Sequence, residues 1–259
     1  MFSAVPSISR LLVWDTTGTP ALFGAYEKDI GGEAMISRLE WSWNQPKSQS
    51  EWLFRAVHAA TEFQGWDIAS VSAIGVVTGP GSFTGIRVGL ALARTWAQTV
   101  GLKLFVTSSL SLELSASQVD AVVRRAATGE WYLQWATNGA PFEEEIVTDD
   151  EFGRLLESKF SEFPDRPDLR IALERSSPLP DLPAPVKDRV HWVDFSAQKL
   201  GKFAENIFSG QYEGVSWPLQ GRVSLCQVGQ AGQGVRMAIA EDFAAQDQQP
   251  GFKRHAVDL

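Results

Sequence analysis

Three runs of mixed apolar and polar residues open the chain: RLLVWDTT (Arg10–Thr17), ALFGAYE (Ala21–Glu27) and GEAMISRLEWS (Gly32–Ser42). Short turns containing Gly or Pro separate them, which predicts an antiparallel meander. The spacing then changes to helical in SQSEWLFRAVHAATEFQG (Ser48–Gly65), with Gly65 as the stop. VSAIGVVTG (Val71–Gly79) reads as a buried strand, Thr84–Val100 as a helix ended by Gly101, and KLFVTSS (Lys103–Ser109) as the next strand. Hairpins first and crossovers later predict a mixed sheet with helices packed on it.

Beyond Ser109 the pattern is less regular. DAVVRR (Asp120–Arg125) and EWYLQWAT (Glu130–Thr137) predict a strand pair, and DDEFGRLLESKFSEF (Asp149–Phe163) a helix with Asp149 or Asp150 as its cap. LRIALE (Leu169–Glu174) and VHWVDF (Val190–Phe195) read as strands flanking the proline-rich loop SSPLPDLPAP. SAQKLGKFAENIFSG (Ser196–Gly210) predicts a helix capped by Ser196 and ended by Gly210. From Gln227 onward the chain is Gln/Gly-rich and polar, a composition associated with disorder. The expected organisation is a first lobe over 1–110, a second over 111–226 and a partly disordered tail over 227–259.

GPGSFTGIRVG (Gly79–Gly89) lies between a predicted strand and a predicted helix, where a phosphate loop could sit. Counting excludes both standard forms. No Gly-Lys-Ser/Thr follows Gly79 or Gly81 at Walker A spacing, and Thr84 stands where a dinucleotide fingerprint needs its third glycine. Pro80 also removes a backbone N–H. Gly79 and Gly81 therefore read as the turn, and Ser82 or Thr84 as the helix cap.

At about 100° per residue, Gly85, Gly89, Ala93 and Ala97 climb one side of the following helix, with Ile86, Leu90 and Trp96 beside them. Only Arg87, Ala91, Arg94 and Gln98 form the remaining stripe. Glycine costs a helix about 1 kcal/mol relative to alanine. Small residues at this spacing permit close helix approach. Two readings follow: the glycines bring the helix close to its own sheet, or they form a docking face for a partner. The wide apolar arc favours docking, with the Ser48–Gln64 helix beside it.

Net charge is −8, which argues against broad contact with phosphate backbones. No apolar run reaches the ~18 residues of a membrane span. Neither a secretory h-region nor a cleavage site is recognisable near the start, and the single cysteine, Cys226, fits a reducing compartment, so the cytoplasm is expected. The three histidines, His58, His191 and His255, are too scattered for a helical metal pair, so no metal site is expected. Ser82 does not fit the G-x-S-x-G nucleophile elbow, and no catalytic residue is assigned. Asp15 follows an apolar strand and precedes Thr16-Thr17-Gly18. An acid at a strand end, followed by hydroxyls and glycine, can hold hydrated magnesium and phosphate; equally, it can close a hairpin turn.

VTGPGSFTGIRVGLALARTWAQTVGLKLFVTSSL resembles the signature of the TsaB (YeaZ) family, and LLVWDTT and SQSEWLF extend the likeness. That resemblance implies an α/β fold of two ribonuclease-H-like lobes in the actin/Hsp70/sugar-kinase (ASKHA) superfamily, with mixed sheets and flanking helices. It implies a non-catalytic partner subunit in making threonylcarbamoyladenosine beside the tRNA anticodon. The implied partners are a TsaD-like catalytic subunit and a TsaE-like ATPase, with a homodimer when alone and tRNA reached only indirectly. The implied interface is Gly85, Ile86, Gly89, Leu90, Ala93, Trp96 and Ala97. No cofactor of its own is implied, although ATP with magnesium could bind at an interface of the complex. The alternative is an actin-like ATPase or small-molecule kinase using Asp15, Thr16, Thr17 and Gly18 with magnesium nucleotide. The chain departs from the family at three places. Gln49-Ser50-Glu51 stands where relatives carry His-Ser-Glu, Arg125–Tyr132 keeps only Gly129, Glu130 and Tyr132 of a conserved-type segment, and Pro218–Arg222 replaces Pro-x-Tyr-x-Arg.

Overall fold

The computed structural model describes residues 8–212, apart from 30, 32–33, 45–47, 137–143, 163–167 and 176. The expected tail (227–259), Cys226, His255 and the Pro218–Arg222 segment lie outside the described residues.

Strands β1 (Arg10–Asp15), β2 (Ala21–Lys28) and β3 (Met35–Trp43) form the expected meander. Helix α1 (Gln49–Gln64) leads through a 3-10 turn (Ile68–Ser70) to β4 (Ala73–Val77), and α2 (Phe83–Val100) to β5 (Lys103–Thr107). β4 pairs parallel to β1, and β5 parallel to β4, giving the order β3-β2-β1-β4-β5. Gly65 and Gly101, both left-handed at φ 60° and 78°, end α1 and α2 as the sequence predicts.

The second half repeats this plan. β6 (Ala121–Ala127), β7 (Glu130–Trp135), β8 (Glu145–Thr148), β9 (Leu169–Leu173) and β10 (Val190–Asp194) form a sheet ordered β10-β9-β6-β7-β8. Renumbered within its own half, each sheet has the order 3-2-1-4-5. Helix α4 (Asp149–Glu162) occupies the place of α1, and the short α5 (Ala184–Lys187) that of α2. The fold is the two-lobed α/β architecture expected from the sequence.

Two helices tie the halves together. α3 (Ser109–Ser117) follows the first sheet but buries Leu110 and Leu114 with Val122 and Ala172 of the second. α6 (Lys199–Phe208) follows the second sheet but buries Leu200, Phe203, Ala204 and Ile207 with Leu11, Val13 and Tyr26 of the first. Each such side chain contributes roughly 1.5–3 kcal/mol by leaving water. The expected boundary at residue 110 therefore falls in the first turn of a helix that serves the other sheet.

α1 and α2 cover the opposite face of the first sheet, where Leu53, Ala56 and Val57 meet Leu12, Trp14, Ile74, Ile86 and Ala93. In the second half, Phe152, Leu156 and Phe160 of α4 play the same part against Val123, Leu133 and Ile171.

Two expected caps need correction. α4 is capped by Thr148: its Oγ1 accepts from the N–H of Glu151, while Glu151 Oε2 accepts from the N–H of Thr148 at 2.8 Å, a capping box. Asp149 is free to accept from Trp131 Nε1 at 2.8 Å. α6 begins at Lys199 after Gln198, and Ser196 instead turns back to accept from the N–H of Gln198 at 3.2 Å.

Candidate functional site

The candidate site lies where the end of β1, the start of α2 and the two linking helices meet. Asp15 is the last residue of β1 and is 1% exposed, so its charge must be answered from within the protein. Its Oδ1 accepts from the N–H and the hydroxyl of Thr17, at 2.8 and 2.6 Å. Its Oδ2 faces the ammonium of Lys199, the first residue of α6, at 2.7 Å. Burial pushes the Asp15 carboxyl up. The charges of Lys199 and Arg124, with hydrogen bonds from Lys199 and Thr17, outweigh it and hold the pKa at about 2.

Arg124, on β6 of the second sheet, reaches across the cleft and is 3% exposed. Its Nη1 donates to Thr17 Oγ1 and to the carbonyl of Pro80, both at 2.9 Å. Its Nη2 lies 3.4 Å from Glu174 Oε2, while Glu174 Oε1 accepts from the N–H of Thr19 at 2.9 Å. Both cations lie against the ring of Phe195, Arg124 and Lys199 at 5.6 and 5.4 Å from its centre. Glu113 of α3 is also fully buried; Ser117 Oγ and the N–H of Ser196 (2.6 Å) donate to its Oε1. Burial raises its pKa, against the lowering effects of Ser117, Lys199 and Ser196, and Asp15 raises it further.

The glycine-rich turn is consumed by its own surroundings. Gly79 is left-handed at φ 101°, as a turn there requires. The carbonyl of Gly79 accepts from the N–H of Ser109 at 2.7 Å, and that of Pro80 from Ser109 Oγ at 2.7 Å and from Arg124. The N–H of Ser82 donates to the carbonyl of Thr17 at 2.7 Å. Ser82 caps α2, accepting from the N–H of Gly85 at 3.2 Å, whereas Thr84 lies within the helix. A Cβ on Gly81 would stand 2.3 Å from the Thr17 carbonyl oxygen.

The docking face assigned to α2 requires correction. Gly85, Ile86, Gly89, Leu90, Ala93 and Ala97 are buried inside this chain, and only Trp96 is partly exposed, edge-on to Trp14. Thr16 Oγ1 donates to the carbonyl of Gly85 at 2.6 Å, and Trp14 Nε1 to that of Gly89 at 3.1 Å. A Cβ on Gly85 would be 1.8 Å from the Thr16 carbonyl oxygen, and one on Gly89 would be 2.6 Å from Thr16 Oγ1. The glycines exist so that β1 can bond to the flank of its own helix. The outward stripe is the one through Arg87, Ala91, Thr95 and Gln98.

Asp15, Thr16 and Thr17 are gathered as the sequence suggests, but they do not fit magnesium nucleotide. Both oxygens of Asp15 are engaged, Thr16 bonds to Gly85, and Arg124 fills the space beside Thr17 and Gly18, where a Cβ would meet its Nη2 at 2.4 Å. Gln49 is buried at the same corner with its Nε2 3.4 Å from the Thr16 carbonyl. Among the described residues, no group of three or more His, Cys, Asp and Glu could hold a metal ion. Sequence reasoning missed Arg124, Lys199, Glu113 and Glu174. Arg124 had a local signal, a charge in the strand run AVVRRAA.

Comparison with known proteins decides the family. The model of the family described as TsaD, tRNA N6-adenosine threonylcarbamoyltransferase, matches residues 45–207, more than half of the chain. The chain belongs to the TsaD family. No curated protein matches it. Among solved structures, YeaZ from Pseudomonas aeruginosa aligns at TM-score 0.52 and 15% identity, over 80% of this chain and 95% of that one. An uncharacterized protein with similarity to peptidase YEAZ, also from Pseudomonas aeruginosa, aligns at TM-score 0.51 and 16% identity, over 79% and 94%. A Bacteroides thetaiotaomicron protein with an actin-like ATPase fold aligns at TM-score 0.42 and 8% identity, over 79% and 99%. At such identities the first two show a shared fold. The likeness to TsaB (YeaZ) read from GPGSFTGIRVG thus holds for this TsaD-family chain.

Proposed function

We infer that this TsaD-family chain serves threonylcarbamoyladenosine modification of tRNA as a non-catalytic partner that binds a TsaD-like catalytic subunit. One observation carries the reading: the outward faces of α1 and α2, side by side on the first sheet, display large aromatic side chains. Phe54 and Phe63 on α1 are 56% and 79% exposed, and Phe83 at the start of α2 is 42% exposed. Arg87 stacks on Phe83 at 4.2 Å, and Arg55 on Trp52 at 5.1 Å. Aromatic and arginine side chains of this kind are the usual anchors of a protein interface.

The binding surface is therefore the solvent-facing surface of these two helices, and the glycine stripe on α2 supports it from beneath. The same surface pairs two copies when the chain is alone, and a TsaE-like ATPase joins the assembled complex. ATP with magnesium binds at an interface of that complex. A net charge of −8 agrees with tRNA being held by the partner. The chain works in the cytoplasm. Among the described residues, no helix is long and apolar enough to cross a membrane.

Co-expression with the TsaD-like subunit of the same cell tests this. Both chains are expected to co-purify, and Phe54→Ser with Phe83→Ser to abolish the pairing while the melting temperature is retained. Removing the gene is expected to lower threonylcarbamoyladenosine in tRNA. Unchanged modification in its absence would overturn the reading.

A further inference from the structure

The second lobe grips the first at the turn from which α2 starts. We propose that Arg124 is a positioning residue for the docking surface: from the second sheet it holds the turn over 79–82, and so sets where Phe83 projects toward a partner. The inference rests on the partner role proposed above and adds to it a part for the second lobe.

That turn has little to fix it from within. Gly79 and Gly81 stand at φ 101° and 151°, in the region that favours glycine, and Pro80 has no N–H to give. Its backbone groups are answered from outside. The carbonyl of Pro80 accepts from Arg124 Nη1 at 2.9 Å and from Ser109 Oγ at 2.7 Å, and that of Gly79 from the N–H of Ser109 at 2.7 Å. Ser109 opens α3, which buries Leu110 and Leu114 with the second sheet. The N–H of Ser82 donates to the carbonyl of Thr17, and the hydroxyl of Thr17 accepts from the same Arg124 Nη1 at 2.9 Å.

Arg124 is suited to this because it is itself held. It is 3% exposed, with Glu174 Oε2 3.4 Å from its Nη2 and the Phe195 ring against its guanidinium. A planar guanidinium presents its donors in a fixed fork, which an ammonium on a flexible stem does not. A Cβ on Gly81 would stand 3.0 Å from Nη1, so the turn passes hard against it. The path from there to the docking surface is short. Ser82 caps α2, and Phe83 is the first residue of that helix, 42% exposed, with Arg87 stacked on it at 4.2 Å. An interface side chain that is fixed before contact loses less freedom on binding. The second lobe thus acts, through Arg124, on a surface that the first lobe carries.

Hydrogen exchange on the full chain alone, read beside its affinity for the TsaD-like subunit, tests this. In Arg124→Met the amides of Ser82 and Gly85 are expected to exchange at least about tenfold faster, while those of Ala56, Val57 and Ala60 in α1 keep their wild-type rates. Affinity for the subunit is expected to fall about tenfold. Unchanged exchange at Ser82 and Gly85 would overturn the proposal. So would acceleration of α1 and α2 alike, which would make Arg124 a general stabiliser. Should Arg124→Met not fold, Ser109→Ala, which removes a second donor to the Pro80 carbonyl, is expected to show the same local pattern, and the same two results would overturn the proposal. Wild type that does not bind the subunit would overturn the partner role, and this inference with it. An Arg124→Met protein that binds as tightly as wild type would overturn this inference alone.

Discussion

The ammonium of Lys199 stands 2.7 Å from Oδ2 of Asp15, and neither side chain is more than 6% exposed. Removing one partner of a buried ion pair leaves the other charge without an answer, at a cost of about 3–5 kcal/mol. Asp15→Asn is therefore expected to destabilise the protein by several kcal/mol at neutral pH, read as a lower urea midpoint. The acid limb carries a second signature. The Asp15 pKa falls from 3.8 to about 2 on folding. Its contribution is thus fully present above the unfolded value and lost as pH falls through about 2. The shift corresponds to roughly 2 kcal/mol at 1.36 kcal/mol per pKa unit. Between pH 4 and 2 wild type is expected to lose this increment, and Asp15→Asn is not. Parallel stability curves for the two proteins over that interval would contradict the pairing.

Gly85 and Gly89 make a prediction opposite to the one their spacing suggests. A docking stripe would tolerate alanine in the isolated chain. Here a methyl on Gly85 meets the backbone carbonyl of Thr16 at 1.8 Å, while one on Gly89 meets a hydroxyl and the Trp14 ring, which have more freedom to move. Overpacking of this kind costs about 1–3 kcal/mol and sometimes more. Gly85→Ala is expected to exceed that range and Gly89→Ala to fall within it, measured by thermal melting of the single chain. Equal and negligible effects would restore the docking reading.

The second lobe offers a local test. Thr148 and Glu151 exchange hydrogen bonds at the start of α4. Thr148→Ala is expected to cost about 1 kcal/mol, the usual value for a lost cap. Asp150→Ala, which changes a neighbouring exposed acid in the first turn, is expected to cost less. Urea denaturation of both variants checks the order.

These cases show why the sequence discloses the elements better than the site. Helix ends at Gly65 and Gly101, the meander and the parallel strands follow from periodicity and backbone chemistry, which are local. The repeat of the strand order 3-2-1-4-5 is hidden because α5 is reduced to four residues where α2 has eighteen. α3 leaves no periodic signal in the sequence, because SLSLELSAS is buried on several sides between the lobes and has almost no helical amphipathicity. The residues at the cleft come from β1, α3, β6, α6 and the end of β9, so their meeting depends on α3 and α6 each crossing to the other sheet. The glycine stripe was visible, but its direction was not: a helix pattern alone does not say whether a close neighbour is another molecule or the strand beneath it.

Glu113 gives the sharpest test of how the cleft is charged. Its folded pKa lies above 4.5, because burial and the nearby Asp15 carboxylate outweigh Ser117, Lys199 and the N–H of Ser196. A raised carboxyl pKa means that the folded protein holds a proton the unfolded chain has released. Its contribution is fully favourable below pH 4.5 and is lost as pH rises through the folded value. The sign is opposite to that of Asp15, although the charge of Lys199 favours the ionised form of both acids. Glu113→Gln keeps an oxygen to accept from Ser117 and Ser196 while removing the titration. The variant is expected to show a flatter dependence of stability on pH above 4.5 than wild type, measured by urea denaturation at a series of pH values. Identical slopes would mean that Glu113 is ionised at no cost, and that Lys199 is shared between the two acids more evenly than its contact with Asp15 implies.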